Sequence, residues 1–171
     1  MNTIKLSLNT HYKHIFQNVG WKNKFKIIGE AVENYIVYNL PCPVCNENKL
    51  EKYKQNEKSR DASCKNCKCQ LQIKASKMTN VNKKITILKL LGASYTTTLA
   101  SIKNNNVHFV IVYYYVDIYN YYHVSNIYFV NSKDINENCI EMRKPLSATA
   151  KRAGWVGCNL VFKKFKSIHI N

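Results

Sequence analysis

A mixed α/β domain is the fold class this sequence predicts, and three stretches carry that expectation. Val107–Val116 is dense in β-branched and aromatic residues, the composition of a strand buried on both faces. Residues 21–40 place apolar side chains at Phe25, Ile28, Val32, Tyr35 and Ile36, close to helical spacing. Between these two lie a pair of Cys-x-x-Cys motifs, the mark of a metal-organised insert. At 171 residues the chain is long enough for one proper core. The expectation is therefore one domain over residues 1–171, with a zinc-binding element at about 41–69.

In chain order, residues 1–20 are weakly patterned. The helix of residues 21–40 should end before Pro41 and Pro43, which cannot continue it; Gly29 weakens its middle. Residues 46–60 are polar, with one short strand near Tyr53. A strand runs through Leu71 and Ile73 to Lys74. Residues 84–103 repeat apolar positions at three and four, which predicts a second helix despite Gly92 and Thr96-Thr97-Thr98. Asn104–Asn106 is a turn, and Tyr121–Val130 is the partner of the Val107–Val116 strand across a turn at Asp117–Asn120. Residues 131–142 read as loop. Val156–Phe162 and Phe165–Ile170 read as final strands joined around Lys163 and Lys164. The sum is two helices and five or six strands.

The formal charge of +16, with only 10 acidic residues, points to a polyanionic partner, of which nucleic acid is the commonest in a cell. An AT-rich genome explains much Lys and Asn but not the scarcity of acids. The longest apolar runs are about half a membrane span, and no basic amphipathic helix offers a membrane-surface site. The N-terminus lacks the basic region and long apolar core of a signal peptide. An intracellular protein acting where DNA is kept is the expectation, with no organic cofactor.

Seven cysteines could suggest disulfides, but without a secretion signal the paired Cys-x-x-Cys spacing reads as metal binding. Cys42/Cys45 and Cys64/Cys67 are separated by residues 46–63, and two such pairs complete a tetrahedral four-thiolate zinc shell. A shell closed in this way has no open position for water or substrate, so the zinc is structural. Cys69 is the rival fourth ligand, set at the start of a strand. Cys139 and Cys158 read as small apolar residues.

A second constellation overlaps the second knuckle. Gln72 and Lys74 are two apart on a strand and project from the face opposite to Leu71 and Ile73. Asp61 lies eleven residues upstream of Gln72. If residues 60–63 and 70–74 pair antiparallel, Asp61 approaches the same face. An acid, an amide oxygen and a lysine side by side can hold Mg²⁺ against a phosphodiester, with the lysine positioning the attacking water. By spacing alone, a solvated Lys and a turn-forming Asp account for the same residues.

Three blocks of sequence go further. They are Glu33-Asn34-Tyr35 leading into Pro41–Cys45, Asp61–Cys67 with Gln72–Lys77, and Arg143–Asn159. In this order the chain resembles the catalytic domain of the DpnI-like (dam-replacing) restriction endonucleases, which cut DNA containing N6-methyladenine. The third block is the most specific. The resemblance implies a PD-(D/E)xK nuclease core with a four-cysteine zinc site. It puts Asp61, Gln72 and Lys74 at the catalytic positions and Glu33 where a supporting acid stands on the first helix. Gln72 departs from the family Glu. Its carbonyl oxygen can still face Mg²⁺, but one negative charge is gone. The family's C-terminal winged helix has no counterpart before Asn171, so recognition is expected from the nuclease domain itself.

Arg143, Lys144, Lys151 and Arg152 flank a small-residue segment before Trp155. Arg and Lys suit phosphates and guanine edges, and an exposed indole stacks on bases; a Trp packed in the core is the ordinary alternative. The resemblance places this loop at the DNA. Three functions follow: a Mg²⁺-dependent, methyladenine-directed endonuclease for double-stranded DNA, a catalytically silent zinc-containing DNA-binding relative, and a related repair or junction nuclease.

Overall fold

The computed structural model describes residues 4–5, 21–47, 49–53, 60–78, 87–91, 107–118, 122–150, 153–154, 156–161 and 168–170. Its one described helix, α1, spans Trp21–Asn39, as the apolar spacing predicts. Ile28, Val32 and Ile36, four apart, are all buried. The helix ends where Leu40 N still donates to Ile36 O at 3.2 Å, and the Asn39 side-chain amide donates to Tyr35 O at 3.0 Å. Pro41 then diverts the chain.

The strands are β1 (Ile4–Lys5), β2 (Leu50–Lys52), β3 (Ala62–Cys64), β4 (Gln70–Lys77), β5 (Ile87–Leu91), β6 (Val107–Val116), β7 (Tyr122–Val130), β8 (Ile140–Met142), β9 (Gly157–Val161) and β10 (Ile168–Ile170). A large sheet runs β1-β7-β6-β4-β3-β2, with β10 also on β7. A small sheet runs β5-β9-β8. β4 and β6 are parallel, from Gln70↔Val107 to Lys77↔Tyr114. β6 and β7 form the expected antiparallel pair.

The burial pattern of β6 explains its composition. Val110, Val112 and Tyr114 join Leu71, Ile73 and the α1 residues in one core. Phe109, Ile111 and Tyr113 join Cys158 and Leu160 of β9, with Cys139 and Ile140, in a second. Helix α1 thus covers one face of the large sheet and the small sheet covers the other, so a central strand must be apolar on both. Cys139 and Cys158 are core residues, as expected.

Two expectations fail. Residues 87–91 of the expected second helix form β5, antiparallel to β9 from Ile87↔Val161 to Leu91↔Gly157. A short apolar run fits either period, and here the β9 partner decides; the rest of that segment lies outside the described residues. Both of the expected final strands form, β9 in the small sheet and β10 on the large one, where it pairs with β7 at Ile168↔Phe129. The loop expected at 131–142 instead contains two 3-10 turns and β8. Among the described residues, no helix is long and apolar enough to cross a membrane.

Candidate functional site

The two cysteine pairs sit in matching turns. After Cys45, Asn46 takes φ 59° and donates its N–H to Cys42 O at 2.8 Å. After Cys67, Lys68 takes φ 60° and donates to Cys64 O at 3.0 Å. The left-handed residue folds each turn back so that both of its thiols face inward. Asn adopts that conformation readily, whereas Lys does so at a cost of about 1–2 kcal/mol.

The sulfurs of Cys42, Cys45, Cys64 and Cys67 lie within 4.8 Å of one another. Cys42 Sγ is 3.7 Å from Cys67 Sγ, and Cys45 Sγ is 3.6 Å from Cys64 Sγ. Tetrahedral zinc with Zn–S near 2.3 Å needs ligand sulfurs about 3.8 Å apart. The four-cysteine cluster therefore fits zinc. Burial pushes the Cys42 thiol up to about 12, so ligation there must displace a proton. The two turns are also bonded through the backbone: Lys65 N donates to Lys49 O at 2.8 Å, and β2 pairs with β3 from Leu50↔Cys64 to Lys52↔Ala62. The cluster so ties the chain leaving α1 to the β3–β4 turn.

β3 and β4 are antiparallel, with Ala62↔Leu71 and Ser63↔Gln70. Beyond that pairing the ladder shifts: Asp61 N donates to Leu71 O at 2.8 Å. Asp61 Oδ2 accepts from Ile73 N at 2.7 Å. The carboxylate is thereby held at the edge of β4, against the backbone between Gln72 and Lys74. Those two residues alternate with buried Leu71 and Ile73. They are register partners of Phe109 and Ile111, so they lie on the face that the small sheet covers.

Glu33 comes from α1, over the opposite face of the sheet. Its carboxyl is pushed up by burial and, second, by the nearby Asp61 carboxylate, while Lys52 pulls it back. Lys52 Nζ lies 3.2 Å from Glu33 Oε2 and donates to Asn34 Oδ1 at 2.8 Å. Asp61 and Glu33 are thus brought together with Lys52 between β2 and α1, while Gln72 and Lys74 stand across the sheet edge from Glu33. Next to this group the Arg60 guanidinium lies 4.7 Å from the Tyr53 ring centroid.

The β8–β9 connection starts from the small sheet, on the side of Gln72 and Lys74. Arg143 N donates to Gly157 O at 2.9 Å, and Gly154 N donates to Leu146 O at 3.1 Å, with Gly154 at φ 75°. Arg143 is half-buried and Lys144 exposed. Lys151, Arg152 and Trp155 lie outside the described residues.

Sequence reasoning overlooked Lys52, because its partners belong to a helix nearly twenty positions earlier and no local pattern joins them. It also overlooked two histidines. His123 Nε2 is 2.7 Å from Asp117 Oδ2 under a stacked Tyr115 ring at 4.9 Å. Buried His108 accepts from Ser132 N at 3.1 Å through Nδ1.

The DpnI family model, described as the Dam-replacing family, matches residues 6–168. That span takes in both cysteine pairs, Glu33, Asp61, Gln72, Lys74 and the Arg143–Asn159 block, and the chain belongs to the Dam-replacing family.

Proposed function

We propose that this protein is a Mg²⁺-dependent endonuclease that hydrolyses phosphodiester bonds in double-stranded DNA, directed by adenine methylation. The observation that carries the reading is the Asp61 carboxylate held 2.7 Å from Ile73 N, between Gln72 and Lys74, in a chain matched to the Dam-replacing family over residues 6–168. The large sheet with α1 on one face is read as a PD-(D/E)xK core, and residues 1–171 as one nuclease unit with its zinc element at about 41–69.

In this reading Asp61 and the Gln72 carbonyl oxygen would hold the magnesium, with Glu33 the supporting acid from the α1 side of the sheet edge. Magnesium, when bound, supplies Lewis-acid stabilisation of the charge that develops on the phosphate. Lys74, on the same face as Gln72, orients the attacking water and steadies its loss of a proton. Asp61 is fit for its part because its backbone hydrogen bond fixes the carboxylate before any ligand arrives. Gln72 contributes an oxygen but no charge, which leaves Asp61 and Glu33 as the acids of the site. The zinc at Cys42, Cys45, Cys64 and Cys67 does no chemistry and keeps β3 and β4 in register with the end of α1. Arg143, Lys144, Lys151 and Arg152 contact phosphates, and Trp155 packs against bases. The net charge of +16 gives long-range attraction to DNA, and the protein acts inside the cell.

One observation favours a second reading, a catalytically silent DNA-binding protein. Gln72 is neutral, and the Glu33 charge is already matched by Lys52 at 3.2 Å. Digestion of one plasmid, prepared with and without adenine methylation, separates the cases. Cutting confined to the methylated form is the expected result. Equal cutting of both would point to a repair or junction nuclease. Binding without cutting in either Mg²⁺ or Mn²⁺ would establish the silent relative.

A further inference from the structure

The geometry points to a reserve ligand in the cysteine cluster: Cys69 takes over the fourth coordination position when Cys67 is lost as a ligand. The inference rests on the assignment of the cluster to zinc. Cys69 Sγ lies 3.4 Å from Cys42 Sγ, closer than Cys67 Sγ at 3.7 Å. Both separations are those of neighbouring ligands in a four-thiolate shell, where sulfurs stand about 3.8 Å apart. Yet Cys69 is not among the four sulfurs that lie mutually within 4.8 Å. It stands beside the shell, next to Cys42.

The two rivals differ in exposure. Cys67 is exposed at the tip of its turn, and Cys69 is 4% exposed. Solvent and electrophiles therefore reach Cys67 first, while Cys69 is shielded from them. The backbone keeps Cys69 in place whatever happens to the Cys67 side chain. Cys64 N donates to Cys69 O at 3.0 Å, and Lys68 N donates to Cys64 O at 3.0 Å; neither bond uses the Cys67 thiol. Lys68, at φ 60°, is the single residue between the rivals, so both thiols belong to one turn and the exchange needs only side-chain rotation at Cys69. In the exchange the bond from zinc to Cys67 sulfur breaks. The Cys69 S–H bond also breaks, its proton passes to solvent, and a bond from zinc to Cys69 sulfur forms. The ordinary role for Cys69 is that of a small apolar member of the core under α1. That role predicts no change at the metal.

Cobalt(II) substitution of the full chain distinguishes the two roles, because its charge-transfer and ligand-field absorption reports how many thiolates are bound. Wild type and Cys69→Ser should both give a four-thiolate spectrum. Cys67→Ser should give one too, and should retain its zinc. Cys67→Ser/Cys69→Ser should fall to a three-thiolate spectrum and release zinc more readily to a chelator. A three-thiolate spectrum in Cys67→Ser alone, or loss of its metal, overturns the inference. So does a lost thiolate in Cys69→Ser, which would make Cys69 a standing ligand. If wild type itself takes up no metal, the zinc assignment fails, and this result is distinct from the other outcomes.

Discussion

Lys52 and Glu33 form an ion pair at 3.2 Å between β2 and α1, with both side chains about three-quarters shielded from solvent (21% and 26% exposed). The lysine is anchored a second time by Asn34 Oδ1 at 2.8 Å. It supplies a positive charge beside Glu33, whose carboxyl is pushed up first by burial and then by the Asp61 charge. A lysine in that position does part of what a bound cation would do.

Replacing Lys52 with Met should therefore cost about 1 kcal/mol of stability, because the pair is only partly desolvated. Mg²⁺ should restore more of the melting temperature in the variant than it adds to wild type, since the carboxylates then lack their internal counter-ion. Melting curves with and without Mg²⁺ measure both effects. An equal Mg²⁺ response in the two proteins would mean that no cation binds near Glu33.

Lys74→Ala should abolish DNA cleavage while leaving the zinc content and far-UV circular dichroism unchanged, because Lys74 is not a member of either buried core. Gln72→Glu should preserve or raise activity and lower the Mg²⁺ concentration needed for half-maximal rate. It restores the missing charge at a partly exposed position on β4. Gel assays of plasmid nicking across a Mg²⁺ series provide the measurement. Cleavage by Lys74→Ala at the wild-type rate would refute the assignment of β4 as the catalytic strand.

His108 provides a pH dependence. Burial, followed by the Lys133 charge, pushes its imidazole below the ordinary value, with Asp134 opposing. The neutral ring accepts from Ser132 N at 3.1 Å. The unfolded chain thus takes up a proton at a pH where the folded chain does not. Stability should be fully present above the ordinary imidazole range and decline as pH falls through it. His108→Asn keeps an acceptor and removes the titration, so its melting temperature should vary less than wild type between pH 8 and pH 5 (roughly the span of His titration). A pH profile identical to wild type would assign the effect to other groups.

Gly29 lies within α1 with nothing within 4 Å of where a Cβ would sit. Gly29→Ala should stabilise the protein by roughly 0.5–1 kcal/mol, through helix propensity and a less flexible unfolded chain. Chemical denaturation with an unchanged m-value would establish the gain. A loss of stability would mean that the helix uses the space at this position.

Local patterns in the sequence were enough to determine α1, the Val107–Val116 and Tyr121–Val130 strands, and the two cysteine pairs. Helical spacing, β-branched runs and Cys-x-x-Cys turns are properties of neighbours in the chain. The alternation that sets Gln72 and Lys74 opposite to Leu71 and Ile73 was legible for the same reason. What the tertiary structure alone decided depends on partners distant in sequence. Ile87–Leu91 became a strand because β9 offered a ladder that the local pattern could not foretell. α1 came to cover the Leu71 and Ile73 side of the large sheet and the small sheet the other, which put Glu33 across the sheet edge from Gln72 and Lys74. Asp61 reached the Ile73 amide through a shift in the β3–β4 ladder, and Lys52 met Glu33 across two elements. Spacing can say which side chains share a face of one strand. Only packing says what lies on that face.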